Sequence, residues 1–191
     1  MEARYLLEID ISKGETPQRT ILTQFVWSEQ IQALMTKRSI AHFYKVSGEY
    51  KLLLIVVAKT FLDKFLSDIN LLQEHADQLN IEVTQLGERD INNRNADNEC
   101  CRYSFLDIAL VKCDALYKSL ESRFKQGKIS AYARWKSIAQ KRVFVFLKVN
   151  ETAKIDFLTA MEEEVQSIRV KPVITLENMQ TIYENPSSSS K

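Results

Sequence analysis

One carboxylate stands inside an apolar segment near the start of the chain, where it could act as a base. Glu8 lies in Arg4–Ile11, whose alternating residue types predict a strand. A carboxylate in an apolar sheet is costly unless it is paired or neutral, so a buried Glu8 is expected to have a raised pKa. Removal of a proton next to a carbonyl requires such a base. An edge-facing Glu8 bound to a lysine is the alternative, and it fits the sequence equally well.

Two polar side chains share one face of a later predicted strand. Within Ser39–Val46, strand alternation places His42 and Tyr44 on the same side. An imidazole and a phenol at this spacing can donate protons to a substrate or orient it. The simpler interpretation is a partly buried histidine with its hydrogen bonds satisfied, and a tyrosine used for packing.

The second half of the chain offers a cation that could hold a substrate. Arg134 and Lys136 alternate on one face with Tyr132. A guanidinium group can clamp a carboxylate through two parallel hydrogen bonds, so Arg134 is the candidate clamp and Tyr132 a candidate neighbour of the ligand. A solvated strand face is the alternative.

Composition and charge exclude two classes of partner. The 191 residues carry 26 Lys and Arg against 25 Asp and Glu, a net charge of +1, so no clustered basic face for nucleic acid is expected. No segment approaches the roughly 18 apolar residues that a membrane span needs. The amino-terminal segment is acidic and lacks a long apolar stretch, so it does not read as a secretory signal.

Cysteine, histidine and glycine usage argues against disulfides, a metal site and a nucleotide site. Cys100, Cys101 and Cys113 are odd in number and two are adjacent, which favours free thiols in the reducing cytoplasm. Neither His42 nor His75 has a cysteine or second histidine at ligand spacing, so no metal is expected. The 4 glycines form no phosphate-binding or dinucleotide fingerprint.

The order of predicted elements is β-α-β-β-α-β, and it occurs twice. A helical stripe follows the first strand over Pro17–Lys37, and strands flank a turn at Gly48. The predicted organisation is a ferredoxin-like repeat in 1–87, a polar linker in 88–101, a second repeat in 102–179 and a disordered tail in 180–191.

Internal similarity supports duplication. The segment Ile40–Lys45 precedes an apolar strand, and Ser130–Trp135 precedes another at about the same interval. The sequence therefore predicts an α+β fold, with two tandem ferredoxin-like (βαββαβ) repeats packed as an intrachain dimeric α/β barrel. Two unrelated α+β halves are the alternative.

The segment Ser39–Val57, SIAHFYKVSGEYKLLLIVV, resembles the muconolactone isomerase family. In that family the second strand reads roughly aromatic-Arg-His-Leu-Trp-Arg, followed by a turn with glycine and a tyrosine that opens the third strand. On this pattern His42 falls on the histidine, Tyr44 replaces the tryptophan, Lys45 replaces the arginine, Gly48 is the turn glycine and Tyr50 is the tyrosine. Glu8 falls on the glutamate that the family carries in its first strand. The resemblance covers most of residues 4–87.

The resemblance implies a cofactor-free isomerase that moves a lactone double bond through loss and return of a proton. Glu8 would be the base, with His42 and Tyr44 as proton donors or orienting groups. Lys45 and Tyr50 would bind substrate, together with the Tyr132 and Arg134 of the second half. The second repeat loses the motif, with Tyr132 standing where His42 would be, so catalysis by either repeat is left open.

The resemblance also bears on assembly and on competing functions. Family members are usually single units that pair into dimeric α/β barrels and larger rings, so a fused tandem could supply both halves, and a homo-oligomer is compatible with it. One competing function is a cofactor-free monooxygenase or cyclase-type enzyme of the dimeric-barrel class, acting on an aromatic polyketide. Another is a non-catalytic ligand-binding or scaffold module. Fold alone does not decide among them.

Overall fold

The computed structural model describes residues 2–59, 61–93, 102–111, 122, 131–149 and 165–183. Within these residues the chain has a mixed α/β architecture of eight strands and five helices. The strands are β1 (Ala3–Ile11), β2 (Ile40–Val46), β3 (Lys51–Ala58), β4 (Leu79–Asn93), β5 (Arg102–Leu110), β6 (Ala131–Ser137), β7 (Arg142–Val149) and β8 (Val165–Thr175). The helices are α1 (Gln18–Trp27), α2 (Glu29–Thr36), α3 (Leu62–Ser67), α4 (Asn70–Glu74) and α5 (Leu176–Ile182).

The chain divides into two compact units. Unit 1 comprises residues 1–85 and 174–191, and unit 2 comprises residues 86–173. In unit 1, β3 lies between β1 and β2 and pairs with both in antiparallel fashion. The sequence of β3, KLLLIVVA, is apolar on both faces, as a strand covered on both sides requires.

The helix-facing side of this sheet carries the core of unit 1. Every second residue of β1 and β3 faces the helices, and α1 contributes an apolar stripe at helical spacing. The buried core residues of these three elements are Leu7, Ile9, Ile11, Leu52, Leu54, Val56, Ile21, Leu22, Phe25 and Val26. Leu176 and Met179 of α5 belong to the same core. Residues from both ends of the chain therefore complete it.

The apolar stripe predicted over Pro17–Lys37 belongs to two helices rather than one. Ser28 separates α1 from α2 with extended backbone angles, φ −63° and ψ 117°. Its hydroxyl accepts a hydrogen bond from the backbone N–H of Ile31 at 3.3 Å. A serine cap followed by the acidic Glu29 in the first turn stabilises a new helix N-terminus, so the helix restarts there.

Strand β2 contains an irregularity that decides which side chains share a face. The register with β3 shifts between Ile40 and His42, which leaves Ala41 as the extra residue of a β-bulge. Ile40 faces the helical core and, beyond the bulge, so does Phe43. His42 and Tyr44 consequently lie on the other side of the sheet.

Unit 2 contains antiparallel strands in the order β8-β5-β7-β6-β4, in which β4 contributes its residues from Leu86 onward. Strands β5 and β7 are its most buried members, and each has apolar residues on both faces. The helices predicted for this half from Leu116, Leu120 and Phe124 and from Ile155, Leu158 and Met161 lie outside the described residues.

Two predicted boundaries differ from the structure. The predicted linker 88–101 begins inside a strand, because β4 continues to Asn93. Residues of this extension pair with β6, for example Asp90 with Arg134. A partner strand supplies backbone hydrogen bonds to this polar segment, and periodicity in a single sequence does not reveal such a partner. Residues 94–101 lie outside the described part of the chain.

The end of the predicted second repeat also differs. Residues 174–179 were expected in that repeat and 180–191 in a tail, yet the described residues 174–183 belong to unit 1 and α5 continues to Ile182. The rest of the predicted tail, 184–191, lies outside the described residues. The side chain of Thr175 caps this helix by accepting a hydrogen bond from the N–H of Asn178 at 3.4 Å. Burial of Leu176 and Met179 in the core of unit 1 accounts for the assignment.

No helix in the described ranges is long and apolar enough to cross a membrane.

The loop between β1 and α1 is held by one buried side chain, Gln78. Its Oε1 accepts a hydrogen bond from the backbone N–H of Thr16 at 3.0 Å. Its Nε2 donates to the carbonyl oxygens of Ser12 at 3.3 Å and of Thr16 at 2.9 Å. Gly14 leaves room for this side chain, since a Cβ atom at that position would overlap the amide end of Gln78.

We expect Gly14→Ala to lower the free energy of unfolding by about 1–3 kcal/mol, because the added methyl group displaces Gln78 from its loop partners. Urea unfolding of Gly14→Ala, Gln78→Ala and the double variant measures this. In the Gln78→Ala background the Gly14→Ala substitution should change the free energy of unfolding little, since the side-chain amide that the methyl group would overlap is already gone. An equal cost in both backgrounds would contradict this account.

Candidate functional site

Glu8 lies on the face of the unit 1 sheet that points away from the helices. Its neighbours in β1, Leu7 and Ile9, face the helical core, so alternation turns Glu8 to the other side together with Leu6. The Glu8 residue is buried, with 9% of its surface exposed. Glu8 is thus buried, as one prediction had it, and it also has the lysine contact that the alternative named, since Lys51 Nζ lies 3.7 Å from its Oε2.

His42 and Tyr44 lie on this same face because of the bulge at Ala41. Both Glu8 and Tyr44 pair across the sheet with Leu53 of the central strand. Leu6 and His42 both pair with Ile55. Two strand spacings of about 4.8 Å place the backbones of Glu8 and Tyr44 about 10 Å apart, a separation that leaves a small molecule within reach of both side chains.

The imidazole and phenol rings of this face are stacked. Their centroids are 5.9 Å apart with an interplanar angle of 11°. The Tyr44 hydroxyl and the His42 Nδ1 are 3.4 Å apart, the long limit of a hydrogen bond. The pair therefore presents two groups able to give or take a proton on the Glu8 side of the sheet.

A lysine at the start of β3 provides the positive charge of this region. The Nζ of Lys51 lies 3.7 Å from Glu8 Oε2 and 3.0 Å from Asp10 Oδ2. Burial alone would lower the pKa of Lys51. The hydrogen bond to Asp10 and the charges of Asp10, Glu8 and Glu49 outweigh that effect and raise the pKa above its ordinary value.

Lys45 and Tyr50 are not brought to this face. Lys45 pairs with Leu52, which belongs to the helix-facing core, and its Nζ donates to the carbonyl oxygen of Val46 at 3.0 Å. Burial lowers the pKa of Lys45, against the opposing charge of Glu49. Tyr50 is exposed and lies near Tyr183, whose pKa is raised by burial and then by Tyr50.

Tyr132 and Arg134 lie in β6 of unit 2. Their backbones pair with Leu147 and Val145 of β7, and alternation places Arg134 on the side of the sheet opposite to Trp135. Arg134 is 1% exposed, which contradicts the alternative of a solvated strand face. The side chain of Tyr132 lies outside the described residues.

His42 and Tyr132 each pair with an apolar residue of the neighbouring strand. His42, which follows the bulge at Ala41, pairs with Ile55 of β3, and Tyr132 pairs with Leu147 of β7. The correspondence of Tyr132 with His42 stays a prediction.

Sequence reasoning missed a buried ion pair in unit 2. Asp107 accepts two hydrogen bonds from Arg142, from Nε at 2.9 Å and from Nη2 at 2.5 Å. The guanidinium group also lies 4.9 Å from the ring centroid of Phe144. The signal was available, since Asp107 interrupts an apolar strand just as Glu8 does.

Trp135, Phe105 and Phe146 lie on the same face of unit 2 as Asp107. Phe105 lies 4.9 Å from Phe146 between ring centroids, and Trp135 meets Phe146 edge-on at 5.8 Å. These rings make this face of unit 2 apolar around the ion pair.

The described residues do not contain a group of three or more His, Cys, Asp or Glu side chains arranged to hold a metal ion. What the Glu8 face offers is acid–base chemistry. A buried carboxylate stands one strand away from a lysine and two strands away from a phenol and an imidazole. Such an arrangement can take a proton from a substrate carbon and donate hydrogen bonds to the oxygen on which negative charge develops.

Comparison with known protein structures identifies the fold. No protein-family model and no curated protein sequence matches this chain. A "putative monooxygenase" from Lactobacillus acidophilus NCFM is similar in structure, with a TM-score of 0.62 and 9% identity over 92% of this chain and 94% of that one. A "putative monooxygenase" from Fusobacterium nucleatum subsp. nucleatum has a TM-score of 0.59 and 7% identity over 92% of both chains.

An "anthrone oxidase-like protein" is also similar, with a TM-score of 0.50 and 8% identity over 90% of this chain and 91% of that one. At these identities the likeness establishes the fold and nothing finer. The chain has the ferredoxin-like α/β fold of dimeric α/β-barrel proteins.

Proposed function

We propose that this chain is a cofactor-independent small-molecule enzyme that uses Glu8 as a general base on a carbon acid. The observation that carries the proposal is the placement of a buried Glu8 on the same sheet face as His42 and Tyr44. The substrate would be a compound whose C–H bond is acidified by a neighbouring carbonyl or by an aromatic ring system.

The roles on this face follow from the chemistry of each group. Glu8 removes the proton, since its carboxylate is the buried acceptor on the sheet face that it shares with His42 and Tyr44. Tyr44 and His42 donate hydrogen bonds to the oxygen that becomes an enolate or phenolate. The substrate-binding roles of Lys45, Tyr50, Tyr132 and Arg134 stay predictions, and the two cations among them, Lys45 and Arg134, are both buried.

Two reactions begin with this proton transfer. In the first, which the muconolactone isomerase resemblance favours, the proton returns to a different carbon and the double bond moves. In the second, the carbanion reacts with O₂, so that a CH₂ group and O₂ yield a carbonyl group and water. All four electrons that reduce O₂ come from the substrate carbon. The names of the similar solved structures favour the second reaction.

An exchange experiment in D₂O tests the step that both reactions share. The protein is incubated with a panel of enolisable lactones and of anthrone-type aromatic ketones, and deuterium incorporation is measured by mass spectrometry under argon. The same panel is then run in air with an oxygen electrode. Exchange followed by O₂ uptake supports the oxygenase, and exchange followed by lactone isomerisation without O₂ uptake supports the isomerase. Absence of exchange and of turnover across the panel would favour the ligand-binding or scaffold module.

We propose further that the chain arose by duplication of one ferredoxin-like unit, since β3 pairs with β1 and β2 in the same way that β7 pairs with β5 and β6. The three cysteines, which are odd in number and include an adjacent pair, favour a reducing compartment such as the cytoplasm. Assembly into a homo-oligomer is compatible with the fold and is tested by light scattering.

A further inference from the structure

Arg4 is the cation of strand β1, and it lies on the same sheet face as Glu8. Alternation along β1 places Arg4, Leu6 and Glu8 on the side away from the helices, where Arg4 pairs across the sheet with Val57. Four residues at about 3.3 Å each separate the backbones of Arg4 and Glu8 by about 13 Å. Arg4 therefore belongs to the Glu8 face, at some distance from the carboxylate.

The ion pairs of this part of the sheet leave Arg4 out. Glu2, two residues before Arg4, has its ion pair with Lys59 at 3.9 Å. Glu8 has Lys51 at 3.7 Å. None of the carboxylates in the described ranges forms an ion pair with Arg4. The positive charge of Arg4 is thus not balanced by a direct contact with a carboxylate of the described chain.

The Nε atom of Arg4 is buried and has no hydrogen-bond partner among the described residues. Buried polar atoms of folded proteins are nearly always hydrogen-bonded, and an unpaired one is destabilising. An arginine cannot relieve this cost by losing its proton. Its neighbours on this face include Leu6 and Ile55, which are fully buried and have no side-chain acceptor. An anionic group beside the guanidinium would satisfy both its charge and this donor.

Unit 2 contains a guanidinium–carboxylate pair of the kind that such an anion would complete. Arg142 donates to one oxygen of Asp107 from Nε at 2.9 Å and to the other oxygen from Nη2. Side-on pairing of this kind uses two parallel hydrogen bonds, and Nε supplies one of them. Nε is also the donor of Arg4 that lacks a partner in the described chain. A carboxylate is therefore the anion that fits Arg4.

We propose that Arg4 forms an anion-binding site on the Glu8 face of unit 1, and that the compound bound there carries a carboxylate. As a substrate of Glu8, this compound would hold its carboxylate at one end and its acidic C–H bond at the other, because the two side chains start about 13 Å apart. The identification of the compound as a substrate rests on the proposed function. The binding of the carboxylate does not, and it is measured without turnover.

The first experiment measures the binding of two carboxylates of different shape to the full-length protein. Anthraquinone-2-carboxylate is flat and has no acidic C–H bond, and paraconate is a compact lactone acid. The neutral primary amide of each compound is the control for shape. In isothermal titration calorimetry at least one carboxylate should bind about tenfold or more tightly than its amide, because charge-assisted hydrogen bonds are the stronger ones. Equal affinities within both pairs would overturn the proposal, and this comparison needs no variant.

Arg4→Gln tests whether the preference comes from this side chain. The variant should bind the carboxylate about 10–100-fold more weakly and the amide nearly as before, since only the anion depends on the positive charge. Arg4→Lys keeps the charge but lacks Nε, so its affinity should fall between those of Arg4→Gln and the parent protein. Arg19→Gln removes the same charge from an exposed position of α1 and should change neither affinity. Undiminished carboxylate binding in Arg4→Gln would show that the anion binds elsewhere.

Stability without ligand separates a binding role of Arg4 from a structural one. Arg4→Met keeps most of the alkyl chain and removes the guanidinium group. This variant should unfold at the same urea concentration as the parent protein or at a higher one, because it removes a buried donor that has no partner in the described chain. A lower urea midpoint would show that the guanidinium group supports the fold, and it would contradict the proposal.

These outcomes are distinguishable from those of the D₂O experiment. Carboxylate binding that depends on Arg4, together with no proton exchange, would leave the anion site standing and remove the proposed enzyme. Proton exchange that is equal in Arg4→Gln and the parent protein for every carboxylate-bearing substrate would keep the enzyme and remove the role of Arg4. With an active carboxylate substrate, Arg4→Gln should raise KM more than it lowers kcat, since Arg4 would bind a group remote from the reacting carbon.

Discussion

Glu8→Gln should lower turnover of an active substrate by about 10²–10⁴-fold, because general-base catalysis contributes on that order. The substitution is nearly isosteric and removes only the basic oxygen, so binding of substrate should change far less than the rate. Steady-state kinetics with separate kcat and KM values checks this. Circular dichroism and thermal unfolding of the variant should match those of the parent protein.

Three further variants make the assignment specific. Glu2→Gln makes the same substitution near the start of β1, at an exposed position paired with Lys59, and should leave turnover unchanged. His42→Gln and Tyr44→Phe should each cost less than Glu8→Gln, since they remove a hydrogen-bonding group and leave the base in place. If Glu8→Gln retains full turnover while a substrate is still consumed, the base lies elsewhere and the assignment is wrong.

Met179→Ala should destabilise unit 1 by about 2–5 kcal/mol, because it opens a cavity in the core that α5 completes. Met179 is fully buried, at 0% exposure. Ile182, in the same helix, is 55% exposed and provides the matched control. We expect Ile182→Ala to change the free energy of unfolding by no more than about 0.5 kcal/mol.

The two tryptophans allow this measurement to be confined to unit 1. Trp27 lies in α1, where its Nε1 donates to the carbonyl oxygen of Tyr183 at 2.9 Å, and Trp135 lies in unit 2. Urea unfolding is therefore followed by fluorescence in a Trp135→Phe background, in which Trp27 is the only tryptophan reporter. Equal losses for Met179→Ala and Ile182→Ala would show that α5 does not belong to the core of unit 1.

Local patterns predicted the strands and the Glu8 face well. Alternation in β1 placed Glu8 opposite the helix-facing residues, and the continuous apolar run of β3 predicted a strand covered on both sides. These features depend on residues next to one another in sequence, where hydrophobic periodicity carries the information.

Features set by pairing partners were not predictable in the same way. The bulge at Ala41 exists only in relation to β3, and it places Ile40 on the opposite face of the sheet from His42. Residues 88–93 form a strand because they pair with β6. Helix α5 belongs to unit 1 because its buried residues pack in a core formed by residues near the other end of the chain. The contact between Lys51 and Asp10 depends on the register of β1 and β3, which a single sequence does not specify.

The division of unit 1 between the two ends of the chain has a consequence during synthesis. Residues 1–85 leave the ribosome first, and about ninety further residues, all of unit 2, follow before α5 is made. At roughly 5–20 residues per second, unit 1 waits on the order of ten seconds for Leu176 and Met179. Unit 2, being contiguous, has all its residues before unit 1 does. A nascent chain that ends at residue 173 would therefore hold every residue of unit 2 but lack Leu176 and Met179, the two side chains with which α5 completes the core of unit 1.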